Sequence, residues 1–171
     1  MDRMVKTTTR KRFRFIPTEE ETMIDLLECP DTIEWLGVSY RPILTNAATG
    51  GAMSIVDSLS PVGSGPPRHI HEREDETFVL LSGLCEFWVE GERFTKKAGE
   101  TVFVPRGMEH TFRVIGGMPS RHLVILTPGG FEDFFADMAA GKFQIPQDMD
   151  RIAESARRHH LRFTGPPLGN D

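Results

Sequence analysis

His69, His71, Glu76 and His110 are the residues of this 171-residue chain whose types and spacing could hold a metal ion. His69 and His71 are two apart, which in a β-strand puts both imidazoles on one face, roughly 6–7 Å apart along the chain. Two neutral imidazoles so placed can grip one ion, and a carboxylate with a third imidazole completes a set of hard and borderline donors. Glu76 follows His71 after four residues, enough for a tight loop into the next strand, and His110 follows a second strand-like run. A His-x-His pair standing alone is more often two ordinary core or surface histidines. Here the surrounding glycines and prolines reverse that preference.

Gly63 and Gly65 beside Pro66 and Pro67 read as a loop that turns the chain ahead of the His-x-His strand. Gly83 separates the runs TFVLL and CEFWV and marks a turn or bulge. Glu90-Gly91, between CEFWV and ERFT, is a hairpin signal that demands positive φ. Pro105-Arg106-Gly107 ends the TVFV run and re-aims the chain so that His110 opens a new strand.

These residues carry a resemblance. Gly63, His69, His71, Glu76 and Gly83 match the first motif of the cupin family, G-x5-H-x-H-x4-E-x6-G. Gly99, Pro105, Gly107 and His110 match the second, G-x5-P-x-G-x2-H-x3-N, with Val114 in place of the asparagine, a position that is not a metal ligand in the family. The segments PGGFEDFF and GPPLG also resemble small bacterial cupins of the quercetin 2,3-dioxygenase-like kind, so the likeness covers roughly residues 32 to 169. It implies an all-β, double-stranded β-helix (the jelly-roll or cupin barrel), and assigns His69, His71, Glu76 and His110 as metal ligands. It also implies one divalent transition metal, from among Fe, Mn, Ni, Cu, Co and Zn, and Glu76 as catalytic base toward a substrate oxygen.

The elements that must position these groups are legible in the pattern. From Asp31 to Pro128, ten short runs rich in β-formers (TIEWLG, VSYRPIL, AMSIVDSLS, RHIH, TFVLL, CEFWV, ERFT, TVFVP, HTFRVI and RHLVIL) follow one another, with Gly50-Gly51 as a further hairpin-like turn. That density predicts a double-sheet jelly roll or small barrel. Before it, residues 1–30 hold a basic arm and a helix over PTEEETMIDLLECP, with three glutamates in its first turn. After it, residues 129–171 hold a helix whose stripe is Phe131, Phe134, Phe135 and Met138, then a second over QDMDRIAESARRH. The tail LRFTGPPLG reads as irregular. The expected organisation is thus an N-terminal arm and helix (1–30), a barrel (31–128) and a C-terminal helical extension packed on it (129–171).

Strand parity suggests the pocket. If Glu76 points inward, so do Phe78 and Leu80; beside His110 the inward set is Phe112 and Val114. For CEFWV we expect Cys85, Phe87 and Val89 inward, because Glu86 would be costly inside. Thr101 and Phe103 alternate with Val102 and Val104, and both faces are apolar enough to leave that strand open; Phe103 is taken as a wall residue. The expected substrate pocket is therefore Phe78, Leu80, Phe87, Phe103 and Phe112, with no interior Arg or Lys to hold a phosphate. Glu72, Glu74, Asp75 and Glu109 read as solvated charges, Glu74 being the one rival ligand because it shares parity with Glu76.

A net charge of −5 argues against nucleic acid as a partner, and no apolar run approaches the ~18 residues of a membrane span. Two cysteines, Cys29 and Cys85, fit a reducing cytoplasm and read as packing. The apolar outward set around Val79 and Leu81 suggests a homodimer. The function expected is a metal-dependent dioxygenase acting on a catechol- or flavonol-like small molecule. A non-catalytic binding or sensing cupin and a metal-dependent isomerase or lyase share the same ligand set.

Overall fold

A computed structural model describes residues 29–169. The basic arm and the helix expected before Pro30 lie outside the described residues. Ten strands occupy the ten runs read from the sequence: β1 (Ile33–Trp35), β2 (Val38–Leu44), β3 (Ser54–Ser60), β4 (Pro67–His71), β5 (Asp75–Ser82), β6 (Leu84–Val89), β7 (Glu92–Lys97), β8 (Thr101–Val104), β9 (His110–Ile115) and β10 (Ser120–Thr127). A one-turn helix α1 (Asn46–Thr49) sits between β2 and β3; α2 (Glu132–Gly141) and α3 (Met149–Arg158) follow β10, and β11 (Leu161–Pro167) ends the fold. No helix among the described residues is long and apolar enough to cross a membrane.

The strands form two antiparallel sheets in the orders β1-β2-β3-β10-β5-β8 and β11-β4-β9-β6-β7, packed face to face as a double-stranded β-helix. Alternation along the strands produces the interior. Phe78 and Leu80 of β5, Val102 and Val104 of β8, and Val124 and Leu126 of β10 from one sheet meet Cys85 and Phe87 of β6 and Phe112 and Val114 of β9 from the other. The C-terminal helices join the same core through Phe131, Phe134, Met138, Ile152 and Ala156, so the aromatic stripe of α2 closes one end of the barrel. Asp137 on α2 ties the helices together, accepting hydrogen bonds from Ser155 (2.8 Å) and His159 (3.0 Å).

Two local readings change. Gly50-Gly51 is not a hairpin: Gly50, in the left-handed region at φ 61°, caps α1. The tail LRFTGPPLG is not irregular, because Leu161–Pro167 pairs with β4, Leu161 opposite His71 and Phe163 opposite His69. Its Gly-Pro-Pro masks the strand pattern, yet an edge strand tolerates prolines that cannot donate, and the register slips between Phe163 and Pro167 where they fall.

The turns hold the ligand-bearing strands in register. Gly65 lies so close to β9 that a Cβ there would collide with the Phe112 carbonyl. That approach lets Gly63 donate to the Val114 carbonyl (2.9 Å) and Ser64 accept from the Val114 N–H (2.9 Å), strapping the Gly-Pro loop to β9. Gly107 donates to the His71 carbonyl (2.7 Å), fixing the turn before His110 against the end of β4. Asp75, expected as a solvated charge, instead clips that turn: it accepts from the Arg106 backbone N–H and Nε, both at 2.9 Å, and from Nη2 at 2.8 Å. The Arg106 hydrogen bonds hold the Asp75 carboxyl down at about 2.

Candidate metal centre and its cavity

His69 and His71 are both inward on β4, Glu76 is the second residue of β5 and His110 the first of β9. His69 and His110 are register partners across β4 and β9. One ligand atom from each of the four residues lies within 4.8 Å of every other, and all four side chains are buried. Glu76 Oε2 is 2.7 Å from His110 Nε2 and 3.6 Å from His71 Nε2. The far nitrogens decide the tautomers. His69 Nδ1 donates to the Pro67 carbonyl (2.8 Å), leaving Nε2 as the donor atom for an ion, and His110 Nδ1 donates to the Met108 carbonyl (3.0 Å), so an ion on His110 Nε2 would take the place of the proton now directed at Glu76.

The electrostatics suit a cation. Burial pushes His69 well below its ordinary value, and the neighbouring charges of His110 and His71 push it further, so that ring stays neutral with its lone pair free. Burial alone would raise the Glu76 carboxyl; the imidazole of His71 and the hydrogen bond from His110 outweigh it and hold the group at about 2. His110 moves the other way: burial lowers it, but the Glu76 hydrogen bond and charge raise it on balance. Three imidazoles and a carboxylate, converging and buried, are a donor set that fits a divalent transition metal.

Glu74 is neither a solvated charge nor a member of this cluster. It is only 7 % exposed, and its Oε2 faces His71 Nδ1 at 3.6 Å, on the opposite side of the ring from Glu76. Neither atom has a hydrogen-bond partner among the described residues, and the two face each other just beyond bonding range. Glu74 thus stands where a carboxylate orients a ligating histidine from behind.

Beside the cluster lies a cavity of ≈ 310 Å³ lined by His69, His71 and Glu76, by Phe78 and Phe112, by Trp35 and Tyr40, and by Phe131, Phe134 and Phe135 from the α2 end. Among the described residues, no Arg or Lys lines it. Of the five expected wall residues, Phe78 and Phe112 are there. Leu80 and Phe87 are buried but lie behind the wall, Phe87 packed against Phe78, Phe94 and Phe112 at centroid distances of 5.3, 5.9 and 5.7 Å. Phe103 is a plain correction, being 61 % exposed on the outer face. Cross-strand partners share a face; Glu76 is opposite Val104 and Phe78 opposite Val102, so Phe103, opposite Thr77, must point out.

Sequence reasoning passed over His122. It is 2 % exposed on β10, lines the cavity, and is pushed down to about 4 by burial. Its signal was available: in RHLVIL it shares parity with Val124 and Leu126, both core residues.

Residues 57–126 match the cupin domain family, so the chain carries a cupin domain. It is 30 % identical over 96 residues to quercetin 2,3-dioxygenase of Bacillus subtilis, a match that covers 56 % of this chain and 28 % of that enzyme. The cupin matched here therefore spans under a third of the length of that relative. Among solved structures, it superposes on KdgF from Halomonas sp. with a TM-score of 0.54 at 18 % identity, covering 60 % of this chain and 92 % of that one. A predicted oxalate decarboxylase from Thermotoga maritima gives a TM-score of 0.51 at 26 % identity, over 53 % of this chain and 80 % of the other.

Proposed function

We propose that this cupin is a metal-dependent dioxygenase of a catechol- or flavonol-like aromatic. One observation carries the reading: His69, His71 and Glu76 of the cluster open directly onto a cavity walled by aromatic rings, with no cationic side chain in its lining among the described residues. Such a space suits a flat neutral ring and gives a sugar phosphate nothing to bind. The volume sits at the low end for small-molecule sites and favours one compact ring system.

His69, His71, Glu76 and His110 would hold the ion, which when bound supplies a Lewis-acidic centre for substrate and dioxygen. Phe78 and Phe112 would flank the ring and orient its hydroxyl toward the cluster. Glu76 Oε2 would take that hydroxyl's proton, a role open to a carboxylate already poised between two imidazoles. The aromatic walls from α2 would exclude water while the ring is oxidised. Dioxygen is the oxidant and both its atoms enter the product, so no external reductant is required. The 30 % identity to a quercetin 2,3-dioxygenase supports this substrate class.

The test is an oxygen electrode with Fe-, Mn-, Ni- and Cu-loaded protein against a panel of catechols and flavonols. Oxygen uptake that needs both metal and aromatic is expected. Product formed without oxygen would replace the reading with an isomerase or lyase, and tight binding without product would replace it with a binding module.

A further inference from the structure

We propose that Tyr40, Ser58 and His122 form a second, uncharged hydrogen-bonding subsite, which takes a neutral hydroxyl carried by the aromatic ligand. The inference deepens the aromatic-ligand reading and rests on it. Tyr40 is the register partner of Ser58, and Ser58 that of His122, so the three lie in one row across β2, β3 and β10. All three line the cavity. They belong to one sheet, while the three ligating imidazoles come from the facing sheet, so the row looks across the cavity toward the metal centre.

The row is polar where alternation calls for core. The Tyr40 and Ser58 hydroxyls and His122 Nε2 meet no hydrogen-bond partner among the described residues, and none of them is sealed in the core, so all three are free to bond a molecule in the cavity they line. The Tyr40 ring is fixed by stacking on Phe135 at 4.2 Å, and His122 meets Phe112 edge-on at 5.1 Å, so neither can swing away to find one. The His122 tautomer follows from its neighbours. Ser120 Oγ spends its proton on the Ser82 carbonyl (3.0 Å) and already accepts from Cys85 Sγ (3.2 Å). Toward His122 Nδ1, at 3.5 Å, it can therefore only accept, which puts the ring proton on Nδ1 and leaves Nε2 as an acceptor. An acceptor flanked by two hydroxyls matches a ligand O–H.

Charge excludes the alternatives. Burial keeps His122 neutral and raises Tyr40, so neither is charged at neutral pH, and no Arg or Lys among the described residues lines the cavity. A carboxylate or phosphate in the row would stay uncompensated in a buried site.

The probe is zinc-loaded full-length chain, which binds without turnover, titrated calorimetrically with 3-hydroxyflavone, its singly hydroxylated isomers, their methyl ethers and a carboxylated analogue. One hydroxylated isomer should bind at least ~10-fold tighter than its ether, because a site built for an O–H rejects the analogue that lacks it. His122→Phe should cut that preference to within about twofold with zinc content unchanged, the isomer-to-ether ratio being read within the same variant. Tyr40→Phe and Ser58→Ala each delete one oxygen; a reduced preference in either supports the subsite even if His122→Phe fails to fold. If 3-hydroxyflavone binds but no isomer is preferred over its ether, or the carboxylate binds tightest, the subsite is refuted and the aromatic reading stands. If no member of the series binds, both fall.

Discussion

Replacing Glu74 should weaken metal binding although Glu74 is not a ligand. With an ion on Nε2, His71 must carry its proton on Nδ1, and the one acceptor facing that nitrogen is Glu74 Oε2 at 3.6 Å. The separation is about half an ångström beyond a good hydrogen bond, so a small side-chain adjustment closes it. In Glu74→Ala the N–H would be buried with nothing to accept it, a loss of about 1–3 kcal/mol. The metal-free ring can escape the cost by changing tautomer, so the penalty falls on the bound state alone. That converts to roughly a 5- to 150-fold weaker dissociation constant, in line with the ~10–100-fold typical of groups behind a ligand. Glu74→Gln keeps an acceptor oxygen and should lose only the charge-assisted part, about half of the free energy. Competition against a chelator, with cobalt as a spectroscopic ion, measures all three proteins; Glu72→Ala, whose side chain is 53 % exposed, is the control. A Glu74→Ala affinity within twofold of wild type would refute the assignment, as would a Glu72→Ala variant equally impaired.

The ligands themselves should behave differently from Glu74: His69→Ala, His71→Ala and His110→Ala each strip most of the metal by elemental analysis while the circular dichroism of the barrel survives, and Glu76→Gln keeps more metal yet loses turnover. A full equivalent of metal in all four would end the site assignment. Acid should destabilise the fold through His122. Its folded value is about 4 against an ordinary 6.5, so the unfolded chain takes up the proton first and stability present above 6.5 is lost as the pH falls toward 4, by about 3 kcal/mol in all. Urea denaturation of wild type and His122→Phe at pH 7 and 5 reads this as a difference in slope with pH, and equal slopes would contradict it. Phe87→Ala should cost about 3–5 kcal/mol and Phe103→Ala no more than about 0.5, measured the same way; the reverse order would mean that the inward face of β8 is misassigned.

How far the chain could be read turns on where one pattern dominates. The ten strands between Asp31 and Pro128 were legible because each run is short and closed by Gly, Pro, Asn, Asp or Ser, and the convergence of three histidines with Glu76 because parity on β4 fixes both of its histidines at once. Phe103 was not legible: Thr101 and Phe103 compete with Val102 and Val104 for the inside, and only the pairing of β8 with β5 breaks the tie. β11 was hidden by prolines that an edge strand can carry. His122 had the right parity but no partner in sequence, since the row it joins is assembled from three strands far apart in the chain.

Glu74 shows a different limit. Parity places it on the same side as Glu76, which made it a rival ligand; only the fold reveals that the two carboxylates approach opposite nitrogens of His71. The same geometry separates the histidines by how they are held. His69 and His110 each donate Nδ1 to the carbonyl two residues back, Pro67 and Met108, a lock made by the backbone and indifferent to side-chain identity. His71 has no such carbonyl contact and faces a side chain instead. Substitution can therefore tune the site through His71 without touching a ligand: an acidic residue at 74 offers the Nδ1 proton a charged acceptor, an amide a neutral one, and an apolar residue none. Position 74 is where the affinity of this centre is adjustable, while the other two imidazoles are fixed by the course of the chain.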